Sequence, residues 1–207
     1  MGGGFGYPDM SANDAKGWTY TTPPLSGEVA VAGHPIVHLW VASTAPDGDF
    51  FAYLEEVTPD GLSRYITEGA LRASHRALAD PPYDNMGLPY HRSFDTDMLA
   101  LEPGKPAELI FDLEPTAKVF GAGSRIRLTI TGADKDNAAT PVVSPPPDVT
   151  IYRNAGHASY VSLPVVSSSE KEAEGKFSLT AILVLVILIV VCVIAFTLFL
   201  RARLKKT

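Results

Sequence analysis

Three pairs of aspartates, each pair two residues apart, are the first candidates for chemistry in this sequence. They are Asp47-Gly-Asp49, Asp95-Thr-Asp97 and Asp134-Lys-Asp136. Loop carboxylates at this spacing can join backbone carbonyl oxygens around Ca²⁺. The chain has no complete twelve-residue calcium loop, and acids in turns are most often simply solvated. The sequence therefore predicts no cofactor, and a structural calcium ion stays open as the alternative.

Histidine, cysteine and serine patterns show no catalytic or metal-binding constellation. The histidines are His34, His38, His75, His91 and His157. None of them forms a His-x-x-x-His pair on a predicted helix, since His38 of the pair His34 and His38 falls in a predicted strand, and the single cysteine, Cys192, excludes an internal disulfide. The Gly-x-Ser-x-Gly nucleophile elbow is missing, since Gly121-Ala-Gly-Ser-Arg125 has the wrong arrangement. The sequence therefore predicts no catalytic residue, no metal ligand and no enzymatic activity in this chain.

Two of the histidines have structural interpretations. His38 alternates with apolar positions, which predicts a half-buried side chain in a strand. His157 ends the turn Asn154-Ala-Gly-His157, which favours a hydrogen-bonding role where a strand begins.

Aromatic and apolar side chains indicate two possible binding surfaces. The sequence of residues 78–99 predicts a long loop, which carries four such side chains, Tyr83, Met86, Tyr90 and Phe94. Because loops of this kind often carry binding residues, we expect this one to contact another protein. Aromatic faces also stack on sugars, and scattered aromatics more often serve packing. The aromatics that could form the floor of a carbohydrate groove are Tyr7, Trp18, Tyr20, Trp40, Tyr83 and Tyr90.

Short alternating segments separated by turn residues predict the elements that carry these side chains. Val37, Leu39 and Val41 share one face of a strand, and Ile126, Leu128 and Ile130 share the inward face of another, with Arg125, Arg127 and Thr129 outward. The predicted strands include 36–43, 49–58, 65–75, 107–113, 124–131, 149–153 and 160–165. About eight strands with few helices favour an all-β sandwich.

The chain divides into five segments. We predict an irregular arm rich in Gly and Pro over residues 1–24, the β-sandwich over 25–166, and a polar linker over 167–176. A transmembrane helix over 177–200 and a basic tail over 201–207 complete the chain.

The transmembrane helix is the strongest single pattern. Residues 177–200, from Phe177 to Leu200, are 24 residues without a charge, and 18 of them are Leu, Ile, Val or Phe. At about 1.5 Å per residue they cover roughly 36 Å, enough for a hydrocarbon core of about 30 Å. The lipid bilayer and other membrane protein subunits are therefore predicted partners.

Charge predicts the orientation and excludes one partner class. Arg201 and Arg203 follow the helix with two lysines and no acid, which favours a cytoplasmic tail and an extracytoplasmic domain in a single-pass protein. The first residues lack the apolar core of an export signal, so a tail-anchored protein with a cytoplasmic domain stays open. Residues 1–170 contain 11 Lys and Arg against 21 Asp and Glu, a net charge of −10, which argues against nucleic acid.

A series of short motifs carries a family resemblance. In chain order they are Tyr20-Thr-Thr-Pro-Pro-Leu25, Glu28-Val-Ala-Val-Ala-Gly-His-Pro35, Val41-Ala-Ser-Thr-Ala-Pro-Asp-Gly-Asp-Phe-Phe-Ala-Tyr-Leu54, Val57-Thr-Pro-Asp-Gly61, Gly69-Ala-Leu-Arg-Ala-Ser74, Val119-Phe-Gly-Ala-Gly-Ser-Arg-Ile-Arg-Leu128 and Gly156-His-Ala-Ser-Tyr-Val-Ser-Leu-Pro164. This part of the chain resembles the C-terminal domain of the cocaine esterase and X-Pro dipeptidyl-peptidase hydrolases. The resemblance implies a galactose-binding-like jelly-roll β-sandwich, and in that family the catalytic triad belongs to a separate α/β-hydrolase domain.

Three hypotheses of function follow. The first is a non-catalytic, membrane-anchored accessory or interaction subunit of a membrane protein complex. The second is a fragment or subunit of a membrane-bound serine hydrolase whose triad lies on another chain. The third is a carbohydrate-binding module.

Overall fold

The computed structural model describes residues 8–135, 137–139 and 143–166, and these residues are mostly β-strand. The strands are β1 Trp18–Thr21, β2 Val29–Gly33, β3 Ile36–Ser43, β4 Asp49–Val57, β5 Ser63–Arg72, β6 Ala107–Asp112, β7 Thr116–Phe120, β8 Arg125–Thr131, β9 Val149–Ile151, β10 Arg153–Asn154, β11 His157–Ala158 and β12 Tyr160–Ser162. One short helix, α1 Ser11–Asp14, and two 3₁₀ turns, Ala73–His75 and Asp95–Asp97, complete the described elements. The predicted all-β class is confirmed.

The strands form two four-stranded antiparallel sheets. The first sheet has the order β1-β8-β4-β5. The second has the order β12-β3-β6, and β9 also pairs with β3. Strands β2 and β7 pair separately, and β10 and β11 form a hairpin. The two larger sheets are the two layers of the sandwich.

The core lies between the inner faces of the two sheets. Val37, Leu39 and Val41 of β3 are buried, as their alternation predicts. From the first sheet, Phe50, Ala52 and Leu54 of β4 pack into the same cluster, beside three residues of β8. Those three residues are Ile126, Leu128 and Ile130, and their inward orientation is confirmed.

The prediction of an irregular arm over residues 1–24 is wrong for the second half of that range. Residues 1–7 lie outside the described residues, but α1 and β1 both fall before residue 25, and β1 pairs with β8 along its whole length. The prolines and glycines around Trp18–Thr21 obscure this strand in the sequence. The strand forms because it pairs with β8, and the alternation of its own side chains does not identify it. The sandwich therefore starts earlier than residue 25.

The structure also differs from the prediction in the exposure of Thr129. Its side chain is on the outer face of the first sheet, as predicted, but it is only 2% exposed. The reason is that Asp14 of α1 lies over it, with the two side chains in hydrogen-bond contact.

The predicted linker, transmembrane helix and basic tail, with Phe177, Leu200, Arg201 and Arg203, lie outside the described residues. Within the described part of the chain, no helix is long and apolar enough to cross a membrane. The membrane anchor thus stays a prediction.

Candidate functional site

Residues 78–99 display the largest group of exposed apolar side chains, and we call this segment the loop surface. Its exposed members are Leu78, Tyr83, Met86, Phe94, Met98 and Leu99. Met86 is 76% exposed and Phe94 is 60% exposed. Single exposed apolar residues are common on protein surfaces, so the grouping of six within 22 residues makes this segment a candidate interaction site.

The two ends of the loop surface are fixed to the sandwich by hydrogen bonds. The Arg76 guanidinium donates to the carbonyl of Leu99 and, at 3.2 Å, to that of Ala100. His91 has Nδ1 3.1 Å from the Ala77 carbonyl and Nε2 2.9 Å from the carbonyl of Ile110 in β6. A charged side chain and an imidazole therefore tie a segment whose described regular structure is one 3₁₀ turn to neighbouring parts of the chain.

Local turns shape the tip of the loop surface. The Arg92 guanidinium forms a two-point ion pair with Asp97, at 2.9 and 2.5 Å, and also lies 5.5 Å from the centre of the Phe94 ring. Met86 has a φ of 61°, and its amide donates to the Asp84 carboxylate at 3.0 Å. Because left-handed φ values are uncommon for residues with side chains, this turn presents Met86 outward at some conformational cost.

The four predicted interaction residues occupy different environments. Tyr83, Met86 and Phe94 are exposed, but Tyr90 is half-buried and packs edge-on against Tyr83 with 5.9 Å between ring centres. Tyr90 therefore supports Tyr83 more than it faces solvent. The sequence prediction did not include Leu78, Met98 and Leu99, which extend the same exposed segment.

The aspartate pairs are engaged in separate contacts. Asp47 accepts hydrogen bonds from the amide and hydroxyl of Ser74, both at 2.8 Å, while Asp49 forms an ion pair with Arg72 at 2.7 Å. Asp134 accepts a hydrogen bond from the Tyr53 hydroxyl at 2.7 Å. Asp95 begins the 3₁₀ turn that contains Asp97, and Asp136 is not among the described residues. Across the described ranges, no group of three or more His, Cys, Asp or Glu side chains could hold a metal ion.

The histidines with structural interpretations pack as expected. His38 is half-buried, 3.3 Å from Glu108, and stacks on Tyr160 with ring centres 4.4 Å apart. The backbone N–H of His157 donates to Asn154 Oδ1 at 2.9 Å, where β11 begins.

Two of the aromatics proposed for a sugar groove, Trp40 and Tyr90, have separate partners. The Trp40 ring lies edge-on to His157 with 4.6 Å between centres. Tyr90 pairs with Tyr83 in the loop surface. Each ring therefore has an intramolecular packing role.

The sequence analysis missed a buried carboxyl pair, Glu55 and Asp14. Glu55 of β4 is 0% exposed, and its Oε2 accepts hydrogen bonds from Ser63 and Thr129, both at 3.1 Å. Asp14 is 5% exposed and binds Arg127 at 2.7 Å. The sequence gives one signal for a buried acid here. Glu55 and Glu56 are adjacent in a strand, where successive side chains point to opposite faces, so they cannot both face solvent.

Asp14 belongs to residues 8–16, which we call the N-terminal strap, and Glu55 lies beneath this segment. The Asp9 carboxylate accepts a hydrogen bond from the Ser63 amide at 2.8 Å, and the Met10 amide donates to the Ser63 carbonyl at 2.9 Å. Met10 is buried. The strap therefore covers the outer face of the first sheet and removes both carboxyl groups from water.

Burial raises the pKa of Glu55 to about 8, with further contributions from a hydrogen bond to Asp14 and from its negative charge. At neutral pH Glu55 is therefore protonated, and it can donate a hydrogen bond to the Asp14 carboxylate. Because Glu55 is neutral, one arginine, Arg127, is sufficient for a site that holds two acids. This arrangement fastens the strap to the first sheet.

The fold and these sites define a two-sheet β-sandwich with an apolar loop surface and structural polar clusters. Its sequence matches the X-Pro dipeptidyl-peptidase C-terminal non-catalytic domain over residues 7–162. The chain belongs to this family. The family's non-catalytic description agrees with the predicted lack of catalysis in this chain.

Relatives with this domain are longer hydrolases. Proteins named as serine esterases from Mycobacterium bovis and Mycobacterium tuberculosis are 47% identical over 168 residues, which cover 80% of this chain and 26% of each relative. The cocaine esterase of a Rhodococcus species is 26% identical over 160 residues, covering 71% of this chain and 25% of that enzyme. The chain thus spans about a quarter of the length of these relatives.

Solved structures show the same fold. A CocE/NonD family hydrolase from Staphylococcus aureus has a TM-score of 0.60 and 20% identity, covering 74% of this chain and 31% of that one. The described sandwich therefore corresponds to the C-terminal non-catalytic domain of CocE/NonD-type hydrolases.

Proposed function

We propose that this chain is a membrane-anchored accessory module that docks on the catalytic domain of a serine hydrolase through the loop surface. The single observation that carries the proposal is a fixed loop with six exposed apolar side chains. The identity with serine esterases supports a hydrolase as the partner, because in those relatives this domain makes up about a quarter of a longer protein.

The contacts of the loop surface suit a docking role. Its backbone is fixed by Arg76 and His91, so its apolar side chains have a defined arrangement before a partner arrives. Aromatic residues and methionine are enriched at interface centres, and Tyr83, Met86 and Phe94 are of these types. Arg92 and Asp97 provide the polar rim that such interfaces have.

The membrane part of the proposal depends on the sequence of residues 177–200. A single uncharged helix followed by Arg201 and Arg203 would fix the sandwich to the bilayer, with the tail in the cytoplasm and the sandwich on the opposite side. A jelly-roll topology of the galactose-binding-like type belongs to the same proposal.

The docking proposal is tested on native membranes that contain the full chain with an affinity tag. The chain is purified in mild detergent, and the eluate is treated with a fluorophosphonate probe, which labels active serine hydrolases. We expect a labelled hydrolase in stoichiometric amount, either on a separate polypeptide or on the same one as the sandwich. Stoichiometric co-purification of unlabelled membrane subunits would instead favour an accessory subunit of a different membrane complex and would contradict the hydrolase partner.

A matched pair of variants localises the contact. In a chain with both Met86→Ser and Phe94→Ser, recovery of a separate hydrolase should fall about tenfold or more, as for centrally placed interface residues. Leu62→Ser is the control, because Leu62 is also an exposed apolar residue, at 42%, but lies in the β4–β5 turn. Equal recovery with the two proteins would exclude the loop surface as the docking site.

Membrane attachment has its own test. Alkaline carbonate should leave the full chain in the membrane pellet, and protease added to sealed vesicles reports which side the sandwich occupies. Release by carbonate would refute the anchor without affecting the docking proposal.

A further inference from the structure

An apolar crevice opens at one edge of the sandwich, between β1 of the first sheet and β12 of the second. Its volume is about 530 Å³, within the range of about 300–1,000 Å³ of small-molecule sites. In the described part of the chain β1 and β12 are the outermost strands of their sheets. At this edge the space between the two layers is therefore reachable from outside.

The floor of the crevice is the hydrophobic core itself. Leu39 of β3 and Leu128 of β8 line it from opposite sheets, and Val161 of β12 adds a half-buried wall. Each of these side chains also packs into the main core cluster. An apolar group that enters the crevice would thus exchange water for the inner faces of both sheets.

The mouth of the crevice has the opposite polarity. Arg153 of β10 reaches across from the hairpin, and its guanidinium lies 4.6 Å from the centre of the Tyr20 ring in β1. Arg153 is exposed, and the ion pairs among the described residues do not include it. Thr19 and Ser159 are also among the residues that line the crevice.

The local charge contrasts with that of the domain. Residues 1–170 have 21 acids and 11 Lys and Arg, so an anion meets repulsion over most of the surface. No Asp or Glu lines the crevice, whereas Arg153 does. A guanidinium presents N–H groups in a fork that matches the two oxygens of a carboxylate.

We propose that the crevice binds a small amphipathic carboxylate, with its apolar body between the sheets and its carboxylate on Arg153. The floor takes an aliphatic or aryl group, and the Tyr20 ring holds the guanidinium in place at the mouth. This site lies apart from the loop surface in sequence and does not depend on the proposed hydrolase partner.

The test uses 4-phenylbutanoate and its uncharged analogue 4-phenylbutan-1-ol as probes. The full chain, in zwitterionic nanodiscs with ¹³C-labelled Ile and Leu methyl groups, is titrated with each probe, and empty nanodiscs serve as the blank. We expect saturable shifts at Ile126, Leu128 and Ile130, which line the crevice. Core methyl groups away from it, such as Leu101, should shift little.

Variants separate the two parts of the site. Arg153→Gln should weaken carboxylate binding about tenfold or more, the usual loss of a charged hydrogen-bond partner, and should leave the alcohol unchanged. Arg64→Gln, which removes an exposed arginine outside the crevice, is the matched control. Val161→Trp fills the crevice and should abolish binding of both probes.

Four outcomes would overturn the proposal. They are no saturable binding of the carboxylate, shifts outside the crevice methyl groups, an Arg153→Gln effect equal for acid and alcohol, or an effect of Arg64→Gln equal to that of Arg153→Gln. Because Arg153 is exposed, its substitution is expected to leave the fold intact, so these outcomes do not depend on whether Val161→Trp folds.

Discussion

The loop surface and the N-terminal strap divide polar and apolar groups in opposite ways. The loop surface exposes Met86 and Phe94 to water, while the strap buries the carboxyl groups of Asp14 and Glu55. Asp14 of the strap has Arg127 as its cation, and Glu55 beneath it keeps a proton that it can donate to Asp14. The apolar groups of the loop surface have no such cover in the described residues. From this difference we propose that the strap serves stability and the loop surface serves association.

The largest expected effect tests the strap. Arg127→Met leaves Asp14 buried without its cation, and loss of one partner of a buried pair should lower the free energy of unfolding by about 3 kcal/mol. The measurement is chemical denaturation of the full chain in mild detergent at pH 7. Arg125→Met is the control on the same strand, because Arg125 is exposed and should contribute less than about 1 kcal/mol. Equal losses in the two variants would contradict a special role for the buried pair.

The next effect is a change of stability with pH through Glu55. Burial and Asp14 raise its pKa from 4.5 to about 8, so between these values the folded chain holds a proton that the unfolded chain releases. The stabilisation from this proton is complete below pH 4.5, declines as pH rises, and is lost above about 8. Glu55→Gln keeps a neutral donor for Asp14, and should therefore be more stable than the parent at pH 9 by about 2 kcal/mol.

The pH prediction has two internal controls. At pH 4 the Glu55→Gln variant and the parent should have nearly equal free energies of unfolding, because Glu55 is then protonated in both states. Glu28→Gln, at an exposed position, should leave the pH profile unchanged. A parallel offset of the Glu55→Gln curve at all pH values would show that the proton is not involved.

The smallest expected effect on stability concerns the loop surface. Met86→Ser and Phe94→Ser remove exposed side chains, so each should change the free energy of unfolding by less than about 0.5 kcal/mol. The same denaturation assay measures this change. A loss of 2 kcal/mol or more would mean that these side chains already have intramolecular packing and would weaken the contrast with the strap.

Local alternation in the sequence predicted most of the sandwich. Val37, Leu39 and Val41 alternate with polar or half-buried positions, and their strand has the predicted bounds, Ile36–Ser43. Strand β7 was not predicted, because Thr116–Phe120 alternates weakly and forms through pairing with β2. Strand β1 was missed for the same reason, since β8 supplies its partner 100 or so residues later.

The candidate sites were less accessible from sequence. Exposure of Tyr83, Met86 and Phe94 agrees with the predicted interaction loop, but the position of Tyr90 depends on a contact with Tyr83. Burial of Glu55 and Thr129 depends on Asp14 of the strap, more than 40 residues away in the chain from either of them. Contacts of this range leave no periodic signal in the sequence.

The hydrogen bonds of Arg76 and His91 have a consequence for how the loop surface would bind. Ordering a free residue on association costs about 1–2 kcal/mol in backbone entropy, and a loop that is already held avoids this loss. Calorimetry of docking should therefore give a negative heat-capacity change from apolar burial, without the large unfavourable entropy of a segment that folds on binding. Association would be a rigid-body event, whose rate is set by collision and orientation.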